Sequence, residues 1–174
     1  LYAFRTGDKL YVMAHSTTFD SSINLYINTD NDPLTGYQNW GQFTNAGGDY
    51  LVQGTSIFSS NGAGWDWTEV STSDAIRVIS TVPDEEGYYT MELEINLSPM
   101  GEISETLRIA LEIETQGYAP AIWSNMDYAT AASAPSVDTI TVDGDDSEWG
   151  KIDTVVNSSN TDNELYAVMD YTRL

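Results

Sequence analysis

This 174-residue chain contains no cysteine, a single histidine and only six lysine or arginine residues. Without cysteine it forms no disulfide and offers no thiolate to a metal ion. Nucleic acids and anionic membrane surfaces are bound by clustered basic side chains, so both are excluded as partners. No stretch approaches the roughly 18 consecutive apolar residues of a membrane-spanning helix, and we expect no membrane insertion.

The chain also offers little for catalysis. A Ser–His–Asp triad would depend on His15 alone, and a zinc hydrolase would lack its ligands. Carboxylate pairs hydrolyse glycosides in many enzymes, but carboxylates are spread along this whole chain, so no pair stands out. We therefore expect a protein that is not an enzyme.

Carboxylates dominate the charge, because 27 acidic residues against six basic ones give a formal net charge of −21. Such an excess repels itself unless cations offset it, and divalent cations are the obvious candidates. Serine, threonine, asparagine, glycine and tyrosine are abundant. This composition is typical of secreted proteins, and we expect an extracellular or cell-surface location.

Alternation of apolar and polar residues predicts β-strands along most of the chain. Residues 48–60 indicate two short strands that meet at Gly54, and residues 98–103 a single helical turn. Turn residues recur about every 8 to 12 positions, which predicts an all-β fold, an antiparallel β-sandwich of the jelly-roll or immunoglobulin-like kind. In three strands every second residue is apolar and should face the core: Leu10, Val12 and Ala14; Ile23, Leu25 and Ile27; Met91, Leu93, Ile95 and Leu97. The alternate residues of the last strand, Glu92 among them, should face the other side of a half-buried sheet.

Two segments almost a chain length apart resemble one another. Leu-Tyr-Ala at residues 165–167 matches residues 1–3, and Leu174 then matches Leu10. We interpret the chain as a window on a tandem array, cut from a longer protein. Residues 1–133 would form the later three quarters of one β-sandwich unit, and residues 134–174 the linker and first strands of the next. Those strands complete either the same sandwich or a neighbour's, and a hairpin repeated within one fold is the alternative.

The segment NTDNDPLTGYQNW, residues 28–40, combines alternating oxygen-bearing side chains with a sharp bend. Calcium binds about six to eight oxygens from carboxylates, amides and carbonyls. We predict a Ca²⁺ site here, and the alternative is a loop whose side chains only cap backbone N–H groups. The candidate ligands are Asn28, Asp30, Asp32, Thr35 and Asp49. A second acidic run, residues 143–148, is predicted to cap a turn before a buried Trp149.

Five tryptophans and eleven tyrosines are many for this length. Sugar-binding modules set flat aromatic faces against the C–H faces of pyranose rings, while nearby amides serve the hydroxyls. Trp65 and Trp67 flank Asp66 and share one face of a strand, where they either fill the core or line a surface platform. Tyr26 is expected to be an ordinary strand residue. The candidate ligand-binding residues are Trp40, Tyr37, Trp65, Trp67 and Trp123.

Two motifs carry a family resemblance. TITVDGDDSEWGKI, residues 139–152, resembles the opening of family 9-like carbohydrate-binding modules and of DOMON-like β-sandwich repeats of bacterial extracellular proteins. Residues 23–40, followed by GGDYLVQG and GWDWTEV, are similar to modules appended to secreted polysaccharide-degrading enzymes. One departure is Asn28, where the family loop often has aspartate, which lowers the charge of the metal site.

The resemblance implies a non-catalytic, calcium-stabilised extracellular module that binds a polysaccharide or another glycan. The rival hypothesis is a structural repeat of a surface fibre, adhesin or layer protein. Such a repeat would assemble with neighbouring copies of itself by strand exchange, since open sheet edges invite pairing.

Overall fold

The computed structural model of the chain describes residues 2–19, 23–38, 47–62, 64–104, 107–113, 117–119, 129–131 and 140–151. These residues form eleven strands and two short 3-10 helices, at Ser98–Met100 and Ser147–Lys151. The strands are β1 (Tyr2–Thr6), β2 (Lys9–Ser16), β3 (Ile23–Asn28), β4 (Tyr50–Gln53), β5 (Ser56–Ser60), β6 (Trp67–Ser71), β7 (Ala75–Ile79), β8 (Tyr89–Asn96), β9 (Leu107–Ile113), β10 (Gly117–Ala119) and β11 (Ala129–Ala131).

The strands pair into two antiparallel sheets. The first sheet has the order β1-β2-β8-β7. The second sheet has the order β10-β9-β3-β4-β5-β6, and β11 also pairs with β9. This architecture confirms the predicted all-β antiparallel sandwich.

The core lies between the inner faces of the two sheets, where the alternation placed it. All the apolar residues predicted to face inward on β2, β3 and β8 are buried and belong to one cluster. Residues of β9 complete the layer from the second sheet, namely Leu107, Ile109, Leu111 and Ile113. Each fully buried leucine or isoleucine stabilises the fold by about 1.5–3 kcal/mol relative to exposure, so this cluster fixes which face of each strand points outward.

Two predicted breaks in the strands are confirmed. Gly54 separates β4 from β5 and has a φ of +65°, a left-handed conformation that favours glycine. The helical turn at Ser98–Met100 carries a proline in its first positions and ends at Gly101. The Tyr50 hydroxyl donates a 2.6 Å hydrogen bond to the Met100 carbonyl and so ties this turn to β4.

Residues 140–151, the docked segment, lie against the outer face of the first sheet. The Glu92 Oε2 atom accepts hydrogen bonds from the backbone N–H groups of Asp143 (2.8 Å) and Gly144 (2.6 Å). Its Oε1 atom accepts one from the indole N–H of Trp149 at 2.7 Å. Trp149 is buried as predicted, although outside the inter-sheet core. Glu92 lies on the face of β8 opposite the core, as predicted, but the docked segment covers this carboxylate and leaves it 0% exposed.

The acidic residues of the docked segment cap its turns, as predicted. The Asp143 carboxylate accepts a hydrogen bond from the Asp145 N–H, and the Asp145 carboxylate accepts one from the Ser147 N–H, both at 2.9 Å. His15 Nε2 on β2 lies 2.9 Å from Asp146 Oδ2. The first described residues after position 133 therefore contact the sheet of the same chain. The division into one unit and part of a second stays a prediction.

Burial raises the pKa of the Glu92 carboxyl, and the three donated hydrogen bonds oppose that rise because they favour the charged form. We expect Glu92→Gln to lower the free energy of unfolding by about 2 kcal/mol, since an amide NH₂ group would face N–H donors. Urea denaturation at neutral pH measures this loss.

Glu94→Gln is the matched control, because Glu94 is the next outward residue of β8 and forms a partly exposed ion pair with Lys9. It should cost no more than about 1 kcal/mol. Equal losses in the two variants would show that Glu92 does not anchor the docked segment.

Candidate functional site

The outer face of the second sheet carries a group of aromatic side chains. Tyr26 points outward, because its neighbours on β3 face the core. Trp67 begins β6 and Trp65 lies in the turn before it, while Tyr37 follows the bend of the loop after β3. We call Tyr26, Tyr37, Trp65 and Trp67 the aromatic cluster.

The rings of the aromatic cluster pack on one another. Tyr26 and Tyr37 stack with ring centroids 5.7 Å apart and an interplanar angle of 16°. Trp65 packs edge-on against Tyr37 at 5.4 Å and against Trp67 at 5.7 Å. The two tyrosines are buried, whereas Trp65 is 57% exposed. Such edge-to-face pairs contribute about 0.5–1.5 kcal/mol beyond their buried area. The accessible indole of Trp65 is therefore held in place by the rings beneath it.

The structure brings together three of the five predicted ligand-binding residues, Tyr37, Trp65 and Trp67. Trp40 and Trp123 lie outside the described residues. Trp67 is partly buried in a cluster separate from the inter-sheet core, so this pair of tryptophans builds a surface feature. Ligand binding by these residues stays a prediction.

A row of polar side chains adjoins Tyr26 on the same outer face. The Tyr26 hydroxyl donates a 2.6 Å hydrogen bond to Glu112 Oε2, and Asn24 Nδ2 donates to the same atom at 2.9 Å. Gln53 Nε2 donates to Asn24 Oδ1 at 2.9 Å. Burial, and then the bond to Glu112, raises the pKa of Tyr26 above its ordinary value of 10.0. We call Asn24, Gln53 and Glu112 the polar row.

Sequence reasoning missed Tyr26 and the polar row. The signal was present in β3, where alternation already placed Asn24 and Tyr26 opposite Ile23, Leu25 and Ile27. An outward-facing aromatic residue in a chain this rich in aromatics is a candidate member of a surface cluster.

The loop after β3 is held by its own Asx side chains. Asn28 Oδ1 accepts a hydrogen bond from the Asn31 N–H at 2.7 Å, and its Nδ2 donates to the Asp32 carbonyl at 3.1 Å. Asp30 Oδ1 accepts from the Asp32 N–H at 2.8 Å, while the Thr35 hydroxyl donates to Asp30 Oδ2 at 2.9 Å. These are the capping contacts of the alternative to a calcium site.

Asp49, just before β4, is hydrogen-bonded directly to the start of this loop. Its Oδ2 atom accepts hydrogen bonds from the N–H (2.7 Å) and hydroxyl (3.1 Å) of Thr29. Asp30 and Asp49 both line an open cleft of about 360 Å³, together with Thr29, Ser59, Ser60 and Glu102. Burial raises the pKa of Asp49, the Thr29 hydrogen bonds oppose that rise, and the charge of Asp30 adds to it. A cation in the cleft would relieve this repulsion.

The five predicted calcium ligands do not converge as one set. In the parts of the chain that the structure describes, no three carboxylate or imidazole groups form a metal-binding cluster. Asp30 and Asp49 share the cleft, whereas Asn28, Asp32 and Thr35 are not among its lining residues. The carboxylate residues Asp30, Asp49 and Glu102 and the hydroxyl residues that line the cleft offer oxygen ligands only, which suit a hard cation such as Ca²⁺ better than zinc. The calcium site stays a prediction.

Comparison with protein-family models, with curated protein sequences and with solved structures gives no match for this chain. The resemblance to family 9-like and DOMON-like modules therefore stays an interpretation of sequence motifs. Over the described residues, no helix has the length and apolar character required to cross a membrane.

The bend that presents Tyr37 depends on Gly36, which has a φ of +61°. A Cβ atom there would lie 2.6 Å from the Gly48 carbonyl oxygen, where Tyr37 and Gly48 exchange two backbone hydrogen bonds. We expect Gly36→Ala to lower the free energy of unfolding by about 2–4 kcal/mol, because φ strain and a backbone clash combine. Urea denaturation gives the loss, and near-UV circular dichroism reports on the aromatic cluster.

Gly54→Ala is the control, since Gly54 has nearly the same φ, +65°, and a Cβ atom there would meet nothing within 4 Å. It should cost only about 1 kcal/mol and leave the aromatic signal unchanged. If Gly36→Ala is no less stable than Gly54→Ala, the Gly36 backbone does not lie as close to the Gly48 carbonyl as described.

Proposed function

We propose that this chain is a non-catalytic carbohydrate-binding module of an extracellular or cell-surface protein. The observation that carries the proposal is Trp65, which is 57% exposed and held edge-on against Tyr37 and Trp67. An exposed indole on a packed aromatic base offers an apolar surface whose position is fixed before a ligand arrives. Preorganisation of this kind lowers the entropic cost of binding.

The surroundings of Trp65 support a sugar as the ligand. The C–H face of a pyranose packs on an aromatic ring, and its hydroxyls need hydrogen-bond partners. The hydroxyl of Tyr26, within the same cluster, donates to Glu112 Oε2, and the same atom accepts a hydrogen bond from Asn24. Aromatic and amide groups on one sheet face therefore supply both halves of glycan recognition.

The docked segment supports a binding module over a fibre repeat. In a strand-exchanging fibre, residues after position 133 would be donated to a neighbour. Here the segment contacts Glu92 of its own chain through three hydrogen bonds. The docked segment thus covers part of the outer face of the first sheet. The outer face of the second sheet carries the exposed Trp65.

Calcium completes the proposal as a stabilising ion. Asp30 and Asp49 would hold it, with neutral oxygens from Thr29, Ser59 or Ser60 around the cleft. A bound cation would offset the repulsion between these two carboxylates. It would also tie β4 to the loop that carries Tyr37.

Trp65→Ala should weaken binding to a neutral polysaccharide by at least about tenfold, because central aromatic contacts dominate binding energy. Affinity electrophoresis against soluble xylan, mixed-linkage β-glucan and galactomannan measures the change. Val82→Ala is the control, since Val82 is 71% exposed in a turn of the first sheet. If a polysaccharide retards wild type and Trp65→Ala equally, the proposed surface is wrong.

Millimolar Ca²⁺ should raise the melting temperature by several degrees relative to chelator, and Asp49→Asn should abolish most of that rise. The folded pKa of Asp49 is raised above its unfolded value, so its stabilising contribution exists at low pH and is lost as the pH rises through the folded pKa. At neutral pH and without calcium, the Asp49 carboxylate is therefore charged and repels Asp30, and a bound calcium ion would relieve this repulsion. Lowering the pH should shrink the calcium effect before ordinary aspartates titrate.

The control is Glu86→Gln, which removes a charge from an exposed turn on the first sheet. It should retain the full calcium effect. An identical calcium-dependent shift in wild type and Asp49→Asn would exclude the cleft as the site.

A further inference from the structure

The polar row and Trp67 lie at opposite ends of the outer face of the second sheet. Asn24 pairs with Gln53 on one side and with Glu112 on the other. Trp67 pairs with Ser60, the last residue of β5. This is the same end of the sheet at which β3 stops, at Asn28. Asn24 and Asn28 are four positions apart, which is about 13 Å along a strand at roughly 3.3 Å per residue. This distance is longer than one sugar ring.

The polar row retains hydrogen-bonding capacity. Among the described residues, both hydrogen bonds that reach the Glu112 side chain end on Oε2. Gln53 is exposed and uses only Nε2 in the row. Within the described part of the chain, the Oε1 atoms of Glu112 and Gln53 accept no side-chain hydrogen bond, and both side chains are positioned by Asn24.

On the basis of the proposed function, we propose that the ligand is an extended neutral oligosaccharide that spans Trp65 and the polar row. One sugar would stack on Trp65, and a later sugar would donate hydroxyl hydrogen bonds to the polar row. The buried Tyr26 lies between these two subsites. Its ring centroid is 6.5 Å from that of Trp65, and its hydroxyl donates a hydrogen bond to Glu112.

The charge of this face selects a neutral chain over an acidic one. Glu112 lies in the polar row itself, and Glu69 of β6 pairs with Phe58 beside the aromatic cluster. Arg108 pairs with Asn28, at the end of the face away from the polar row. A uronate at the polar row would meet a carboxylate within a protein whose net charge is −21.

Chain length tests the second subsite. Isothermal titration would use the di-, tetra- and hexasaccharides prepared from the neutral polysaccharide that wild type binds best. Gln53→Ala should weaken hexasaccharide binding about fivefold, the effect of one lost hydrogen bond. It should weaken disaccharide binding less, because a disaccharide with one sugar on Trp65 has only one further ring to contact the row. Glu86→Ala, in an exposed turn of the first sheet, should change neither affinity.

A second variant tests the charge. Glu112→Gln should reduce the preference for the neutral hexasaccharide over a galacturonate hexasaccharide at low salt. Circular dichroism and urea denaturation establish that both variants are folded. If Gln53→Ala loses no affinity, or loses the same affinity for oligosaccharides of every length, the extended ligand is wrong. It is also wrong if Glu112→Gln keeps the wild-type preference for the neutral hexasaccharide. Failure of the proposed function is distinguishable, because Trp65→Ala would then leave every oligosaccharide affinity unchanged.

Discussion

The register of β3 between β4 and β9 is the constraint on which both the core and the candidate site depend. Ile23, Leu25 and Ile27 fill the inter-sheet core, so Asn24 and Tyr26 must face outward. A slip of one residue would exchange these two sets, because side chains alternate along a strand. The burial of three large apolar side chains opposes such a slip. The same energy that stabilises the fold therefore also positions the base of the aromatic cluster.

The fold was largely predictable, because alternation is a local property of each strand. Burial on the outer faces was not, since it depends on what covers them. Glu92 has the pattern of a solvent-facing residue on β8, yet Trp149, 57 positions later, covers it. For the site, Trp65 and Tyr37 were predicted one by one from residue type. Tyr26 was missed, because its role comes from stacking on Tyr37 across a long loop.

The acidic loop shows why sequence could not decide between a metal site and a capped turn. Aspartate and asparagine oxygens serve both purposes, and their spacing in NTDND suits either. Asn28 and Asp32 cap the backbone of the loop. Asp30 and Asp49 also accept backbone hydrogen bonds, and in addition they share a cleft in which burial and mutual repulsion raise the pKa of Asp49. What distinguishes Asp30 and Asp49 is the cleft that they share, which brings together residues about 20 positions apart in the sequence.

The most direct test of the account is to follow the tryptophan indole N–H signals by heteronuclear NMR as a neutral polysaccharide is added. Trp65 and Trp149 lie on different sheets, one exposed and one bonded to the buried Glu92. We expect the Trp65 signal, and that of the adjacent Trp67, to shift with ligand concentration while the Trp149 signal stays fixed. A shift confined to Trp149, or binding without any change at Trp65, would contradict it.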